Sequence, residues 1–258
     1  MGINAVDGLL NAAPERIVRV WIKRGNARLD QLAQRLQDLG ISLNWTESPA
    51  LDRRADGVRH QGVIAEFMAR QSIDENALMA LIDSAQLERQ AAGSGNKSEP
   101  IRVLVLDGVQ DPHNLGACMR SALAAGLVAV IVPKDRAAGL TPVTRRAAAG
   151  AAEQIPLALV TNLARTLDQL ADKGLFRVGL AGDTDQSIHN VDLTGALALV
   201  MGSEEKGLRR LTRERCDVLA RISMPGPMES LNVSVAAGIA LFEAVRQNNS
   251  LDTRNRAR

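Results

Sequence analysis

Residues 222–242 read ISMPGPMESLNVSVAAGIALF. Ile222, Ser223 and Met224 end a strand. Pro225, Gly226 and Pro227 forbid regular continuation, because the prolines lack N–H donors and the glycine reaches dihedrals closed to other residues. Residues 230–234, SLNVS, then open a helix in which Val235, Ile239 and Phe242 recur at helical spacing. Ser230 or Asn232 is placed to cap its first turn. A strand, a rigid turn and a polar helix start leave free backbone groups on both sides of one edge. Such an edge faces a ligand, and the rest of the chain reads as completing it.

Upstream, apolar runs at 101–106 (IRVLVL), 127–132 (LVAVIV), 155–160, 176–181, 196–201 and 218–223 are strands. Helical patterns fill 115–125, 141–152, 162–173 and 208–216. Near-continuous apolar strands separated by helices predict an α/β fold with a mostly parallel sheet covered on both faces. The first part of the chain is a smaller α/β unit. It reads as a helix at 3–12, strands at 17–22, 41–45 and 62–67, and helices at 28–39, from Ser48-Pro49, and at 76–87. Ser72 and Glu75 form a capping box for the last of these. Residues 90–100, QAAGSGNKSEP, have lost all periodicity and form a linker. The expected domains are therefore 1–89 and 101–248, joined by 90–100, with a disordered basic tail at 249–258.

Composition sets limits. A chain of 258 residues, 46% hydrophobic, buries a substantial core in one or two domains. A net charge of +2 and a pI near 8.8 permit nucleic-acid binding without demanding it. Aromatic residues are only 2%, with no tyrosine, which disfavours broad base-stacking platforms. Cys118 and Cys216 give neither a disulfide framework nor metal spacing, and three histidines (His60, His113, His189) do not make a metal site. The start, MGINAVDGLL, lacks the features of a signal peptide, and no apolar run is long enough to cross a membrane. A soluble cytoplasmic protein is expected.

Two further constellations follow strands. In 106–120, LDGVQDPHNLGACMR, Asn114 and Arg120 stand six apart with Gly116 between them, which permits close approach. The stretch lies at the carboxyl edge of the sheet, where open α/β folds place ligands. On spacing alone, Asn114 reads more readily as a helix cap and Arg120 as a surface ion pair. In 202–207, GSEEKG, the glycines imitate half of a P-loop, but Leu208-Arg209 replace the required Lys-Ser/Thr and two carboxylates would repel phosphate. A solvated turn and a ligand-touching loop fit this stretch equally.

N-x-G-x-x-x-R, then G-x-E-x-x-G, then P-G-x-x-x-S-L-N-V-S, in this order and each after a strand, resembles the SpoU family of RNA ribose 2′-O-methyltransferases within the SPOUT superfamily. The likeness is closest to the branch that methylates a guanosine ribose in the peptidyl-transferase region of 23S ribosomal RNA. It covers nearly the whole chain, including 57–63, GVRHQGV, similar to that branch's stretch ending in HQG. Met1 stands where the family usually has an aromatic residue, and Glu205-Lys206 fill variable positions. The resemblance implies a deep trefoil knot in the C-terminal domain, an exception to the rule against threaded chains. It implies an N-terminal domain like the ribosomal-protein L30e RNA binders, and a homodimer whose site draws on both protomers, with no membrane or DNA partner. It implies S-adenosylmethionine as cofactor, held by Gly202, Ile222 and Leu231 through backbone groups, with Met201, Met224 and Pro225 beside them.

The resemblance assigns the chemistry to Arg120, helped by Asn114, Glu204, Ser230 and Asn232. A ribose hydroxyl is a poor nucleophile, whereas the sulfonium methyl is a good electrophile, so the site must orient the 2′-oxygen and favour its loss of a proton. Arginine side chains are normally protonated, so Arg120 is read as stabilising the developing alkoxide and a neighbouring phosphate. Glu204 positions Arg120 or Asn114, and Ser230 and Asn232 hold the nucleotide. For RNA contact the candidates are Arg16, Arg19, Lys23, Arg24, Arg28, Arg53, Arg54 and Arg59. The interspersed Glu15, Asp30, Asp52 and Asp56 make a solvated face an equal reading for any one of them. Methylation of transfer RNA, or a binding-only module, are the alternatives.

Overall fold

The computed structural model describes residues 1–91 and 100–256, which form two compact units. The first unit comprises Met1–Gln71 and Ala149–Gln154. Its elements are α1 (Ile3–Ala12), β1 (Ile17–Ile22), α2 (Ala27–Asp38), β2 (Leu43–Trp45), α3 (Ser48–Ala55) and β3 (Val63–Phe67). The three strands make a sheet ordered β2-β1-β3, with β1 parallel to β2 and antiparallel to β3. Alternation along β1 sends Val20 and Ile22 into a core with Leu29, Leu32 and Leu36 of α2. The other face carries Trp21, packed with Leu51, Ala55 and Ile64 under α3.

The HQG stretch proves to be a structural turn. Gln61 and Gly62 both adopt positive φ. Gln61 Oε1 accepts from the Ile3 N–H at 3.1 Å, where α1 starts, and His60 bonds the Gly62 N–H at 3.0 Å and Asp52 at 2.8 Å.

The second unit begins at Ser72, well before the expected boundary at 89. Ile73 already pairs with the strand at 157–160, and α4 (Glu75–Ala91) buries Leu78 and Ile82 in the C-terminal core. Composition marks the linker, but burial decides which unit owns the helix. Of 90–100, residues 92–99 lie outside the described residues. The cap of α4 is Asp74, which accepts from the Ala77 N–H at 2.9 Å, and not Ser72.

Six strands follow: β4 (Arg102–Asp107), β5 (Ala129–Pro133), β6 (Leu157–Val160), β7 (Phe176–Leu180), β8 (Leu197–Gly202) and β9 (Val218–Ala220). They form a wholly parallel sheet ordered β6-β5-β4-β8-β7-β9. The helices are α5 (Pro112–Ala124), α6 (Pro142–Ala147), α7 (Leu163–Asp172), α8 (Arg210–Glu214) and α9 (Val233–Arg256). Val103, Val105, Ile131 and Val200 share a core with α4 and with Leu163, Leu167 and Leu170 of α7. The opposite face is covered by α5 and α9, which pack on each other and on the sheet. Each fully buried leucine or isoleucine contributes about 1.5–3 kcal/mol. From β4 the chain runs outward to β5 and β6, then returns on the other side as β7, β8 and β9. The reversal falls between β4 and β8, the crevice where open α/β sheets bind ligands.

Three readings are corrected, and one face is found exposed. The helix expected at 141–152 stops at Ala147, because Ala149 and Gly150 take positive φ and the segment leaves for the first unit. There Glu153, 6% exposed, receives Arg16 Nη2 at 2.6 Å and the Arg70 N–H at 3.0 Å. The last strand ends at Ala220, so Ile222, Ser223 and Met224 lie in the following loop. The apolar stripe Val235, Ile239 and Phe242 is exposed at 51%, 37% and 48%, while α9 buries the smaller Val233, Ala237, Ala240 and Ala244 together with Leu241. The tail expected to be disordered continues α9 to Arg256, and 257–258 lie outside the described residues.

A polar lock holds α9. The buried Glu243 carboxylate takes Arg246 at 2.7 and 2.9 Å and Gln247 at 2.9 Å, with His189 at 3.3 Å. Hydrogen bonds from Arg246, then from Gln247 and His189, outweigh burial and hold its pKa at about 2, against an ordinary 4.5. A depressed carboxylate stabilises the fold above its ordinary pKa and loses that contribution as pH falls through about 2. Because Arg246 is exposed, Glu243→Gln should cost only about 1–2 kcal/mol at neutral pH. In denaturant titrations the gap from the native protein should be full above pH 5 and close towards pH 2.

Candidate active site

The carboxyl ends of β4 and β8 lie side by side, with Asp107 in register with Gly202. Asp107 is buried and accepts from both the backbone N–H (2.9 Å) and the Nε–H of Arg209. It therefore ties the loop after β8 to the end of β4, a role the sequence reading missed. That loop closes on itself through reciprocal Ser203–Gly207 backbone bonds of 3.2 and 2.9 Å. Gly202 makes this closure possible: a Cβ there would stand 2.1 Å from Gly207 C and 2.3 Å from Leu208 N. Gly116 is needed for a different approach from the one expected. A Cβ on it would meet Ala147 Cβ and Thr144 O at 2.6 Å, so it lets α5 and α6 touch.

The cap of α5 is Asp111, whose side chain accepts from the His113 N–H at 2.9 Å, with Pro112 at the first helical position. Asn114 is thus released from the capping role that spacing suggested. Its Nδ2 donates to Glu204 Oε1 at 3.1 Å. Asn232 Nδ2 donates to Asn114 Oδ1 at 2.9 Å and to Glu204 Oε1 at 2.8 Å. The Val233 N–H, at the start of α9, donates to the same Glu204 oxygen at 3.0 Å. Asn232 Oδ1 caps α9 by accepting from the Ser234 N–H at 3.0 Å. Three residues separated by up to 118 positions are locked into one network, and Glu204 Oε2 keeps no partner among the described residues. A carboxylate held by three donors beside a helix N-terminus is fixed in place.

This network sits where two cavities meet. The first, open to solvent and of about 180 Å³, is lined by the loops after β7, β8 and β9. Met201, Gly202, Ile222, Met224 and Leu231 line it, and so does Ser230, which makes no hydrogen bond among the described residues. Pro225 is not among its lining residues. Leu180, Ala181 and Gly182 complete the wall; they follow β7, and the rule that placed the other loops at the carboxyl edge would have found them too. The second cavity, about 350 Å³, is lined by Gly108, Gln110, Asp111, Asn114, Glu205 and Lys206. Ser203, Glu204 and Val233 belong to both. Cys118 is buried, and burial followed by the charge of Glu204 pushes its thiol up to about 12, so it stays protonated and is no nucleophile.

Arg120 does not join the network. It is exposed on α5, lines neither cavity, and makes no hydrogen bond or ion pair among the described residues.

The first cavity suits an adenosyl cofactor. Its wall is mainly aliphatic and backbone, with the carboxylates of Glu204 and Glu229 and the guanidinium of Arg221 as its charged groups. Residues 101–242 match the model of the SpoU rRNA methylase family, and residues 1–72 match that of the RNA 2′-O ribose methyltransferase substrate-binding domain. A Haemophilus influenzae protein named 23S rRNA (guanosine-2′-O-)-methyltransferase RlmB is 49% identical, covering 95% of this chain and 96% of its own. A Pseudomonas putida protein of the same name is 48% identical, covering 95% of each. Among solved structures, the AdoMet-bound rRNA methyltransferase of Sinorhizobium meliloti aligns with a TM-score of 0.69 at 25% identity, covering 94% of this chain and 84% of that one.

Proposed function

This chain belongs to the SpoU rRNA methylase family, and from that premise we propose that it transfers a methyl group from S-adenosylmethionine to the 2′-oxygen of a guanosine ribose in the peptidyl-transferase region of 23S ribosomal RNA. The observation that carries the proposal is the Asn114–Glu204–Asn232 network at the junction of two cavities. One cavity fits the cofactor and the other is polar enough for a nucleotide. The names of the full-length relatives favour ribosomal over transfer RNA. An intact network of side chains argues against a binding-only module.

When bound, the cofactor supplies an electrophilic methyl on a sulfonium. Backbone groups of Gly202, Ile222 and Leu231 would hold it, with Met201 and Met224 beside them. Asn232 fixes the amide of Asn114, and Asn114 in turn presents a set orientation to the second cavity. Glu204 Oε2 is free to accept a hydrogen bond from the incoming hydroxyl. Ser230 extends the polar rim between the two.

Arg120 enters from a second copy. We infer a homodimer formed through the face that carries α5 and α9, whose stripe Val235, Ile239 and Phe242 is left exposed in one chain. In that assembly the partner's Arg120 neutralises the developing alkoxide and an adjacent phosphate. The same reading has the loops after β7, β8 and β9 threaded as a trefoil knot, the first unit gripping RNA, and the protein working in the cytoplasm. No helix among the described residues is long and apolar enough to cross a membrane.

The test is direct. Incubation with methyl-labelled S-adenosylmethionine and separated ribosomal and transfer RNAs should label 23S RNA alone, at the 2′-oxygen of one guanosine. Label confined to transfer RNA would replace the substrate, and none in either would refute the function.

A further inference from the structure

The arginines of the first unit fall into two classes that the sequence does not separate. Arg16, Arg28, Arg35 and Arg70 spend their donors inside the protein. Arg16 bonds Glu153 and the Met68 carbonyl (2.8 Å), Arg28 bonds Asn4 (2.6 Å), Arg35 bonds Asp7 and Asn11, and Arg70 bonds the Gln154 carbonyl (2.8 Å). Arg19, Arg24 and Arg54 are exposed and make no hydrogen bond or ion pair among the described residues. Each is instead placed over an indole. Arg54 stands 4.3 Å and Arg19 5.7 Å from the Trp21 ring centre, and Arg24 stands 4.8 Å from that of Trp45. These are the only two tryptophans in the chain.

The backbone explains the placement. Arg19 and Trp21 alternate onto one face of β1, and α3, which covers that face, delivers Arg54 in its last turn. Trp45 ends the edge strand β2 in register with Ile22, one residue past Trp21, so the two stacks lie at the same end of the sheet but on opposite faces of it, flanking that end. Glu66 is the cross-strand neighbour of Arg19, yet no ion pair closes between them. Arg53 and Arg59, also exposed and unpaired among the described residues, add charge nearby.

A guanidinium laid on an indole keeps its edge donors pointing outward, and the ring restrains a side chain that would otherwise lose entropy on binding. Unspent, pre-oriented donor forks with no carboxylate partner match the bidentate geometry of phosphate. We propose that Arg19–Trp21–Arg54 and Arg24–Trp45 form a two-part grip on the phosphodiester backbone of the RNA substrate. The proposal rests on the RNA methyltransferase function and adds to it the residues that hold the RNA. The indoles serve to aim the arginines, so a low aromatic content is no obstacle.

The test uses the full chain and a 23S RNA fragment spanning the peptidyl-transferase region. Arg19→Ala/Arg24→Ala/Arg54→Ala should weaken RNA binding at least tenfold and lower the slope of log K against log salt by about 2–3, one lost phosphate contact per arginine. S-adenosylmethionine affinity and the rate at saturating RNA should stay unchanged, with KM for RNA rising. Arg24→Gln alone, at the more exposed stack, should move the slope by about 1. Arg28→Ala/Arg35→Ala should not move it. RNA binding to the native chain should alter the fluorescence of both tryptophans. Native affinity and slope in the triple variant, with methylation intact, would overturn the grip while sparing the function. Equal binding of polyglutamate would assign the patch to an acidic protein and overturn it as well. A native chain that neither binds nor methylates the RNA would overturn the functional reading itself.

Discussion

Arg120→Ala should lower methyl transfer by at least 10²–10³-fold, the usual loss when one group that stabilises developing charge is removed. S-adenosylmethionine affinity and thermal stability should stay within twofold and about 0.5 kcal/mol of native. The structure makes this split sharp. Arg120 is exposed, touches neither cavity, and makes no bond among the described residues, so truncating it removes nothing that one chain uses. In the homodimer proposed above, a large loss of activity would come from its work in a partner's site. Mixed dimers extend the test. Co-refolding Arg120→Ala chains with Glu204→Gln chains should restore about a quarter of native activity. Half of the dimers are mixed, and each of those regains one complete site. If Arg120 served its own chain, every site in the mixture would carry a defect and activity would stay near the background. Collapse of cofactor binding in Arg120→Ala would show that the arginine holds the cofactor site instead.

Gly202→Ala is the second large effect, and it acts on the cofactor. The added methyl would lie 2.1–2.4 Å from Gly207 and Leu208 backbone atoms, which cannot rotate away as a side-chain tip can. Accommodating it means opening the Ser203–Gly207 closure that holds Glu204 at the junction of the cavities. Overpacking of this kind costs about 1–3 kcal/mol or more. Calorimetric titration should show S-adenosylmethionine affinity down at least a hundredfold, with melting lowered by several degrees. The paired control is Gly226→Ala, where nothing lies within 4 Å of the added carbon, and it should bind nearly as the native chain does. Native affinity in Gly202→Ala would show that the loop after β8 is not part of the cofactor wall.

Much of this arrangement was legible in the sequence because the parallel sheet has a strong local signal. Fully buried strands such as 101–106 and 127–132 are apolar throughout, and the loops after them had to lie at one edge. That reasoning placed the three stretches at one edge, and the resemblance to the SpoU family singled out Asn114, Glu204, Gly202, Ile222 and Leu231 within them. What it could not supply was competition between partners. Asn114 looked like a helix cap until Asp111, three residues earlier, proved to hold that position. Gly116 looked like a ligand contact until α6 was found against it. The stripe Val235, Ile239 and Phe242 has helical period but faces outward, since spacing shows that residues share a face and not what the face meets. The Ala-rich run after Thr141 hid a break at Ala149 and Gly150, because alanine favours helix wherever tertiary contacts allow it. The boundary between the units was misplaced for a related reason: a flexible composition marks where the chain is loose, while α4 belongs with the core that buries it. Asp107 escaped notice because a lone aspartate at a strand end carries no pattern, and only its burial against Arg209 reveals its task.

The most direct test is a crystal structure of the protein grown with S-adenosylmethionine. The adenosyl group should rest against the backbone of Gly202, Ile222 and Leu231, with the sulfonium methyl directed past Glu204 towards the cavity lined by Asn114. A cofactor bound elsewhere, or one whose methyl points away from Glu204 and Asn114, would contradict the assignment of both cavities.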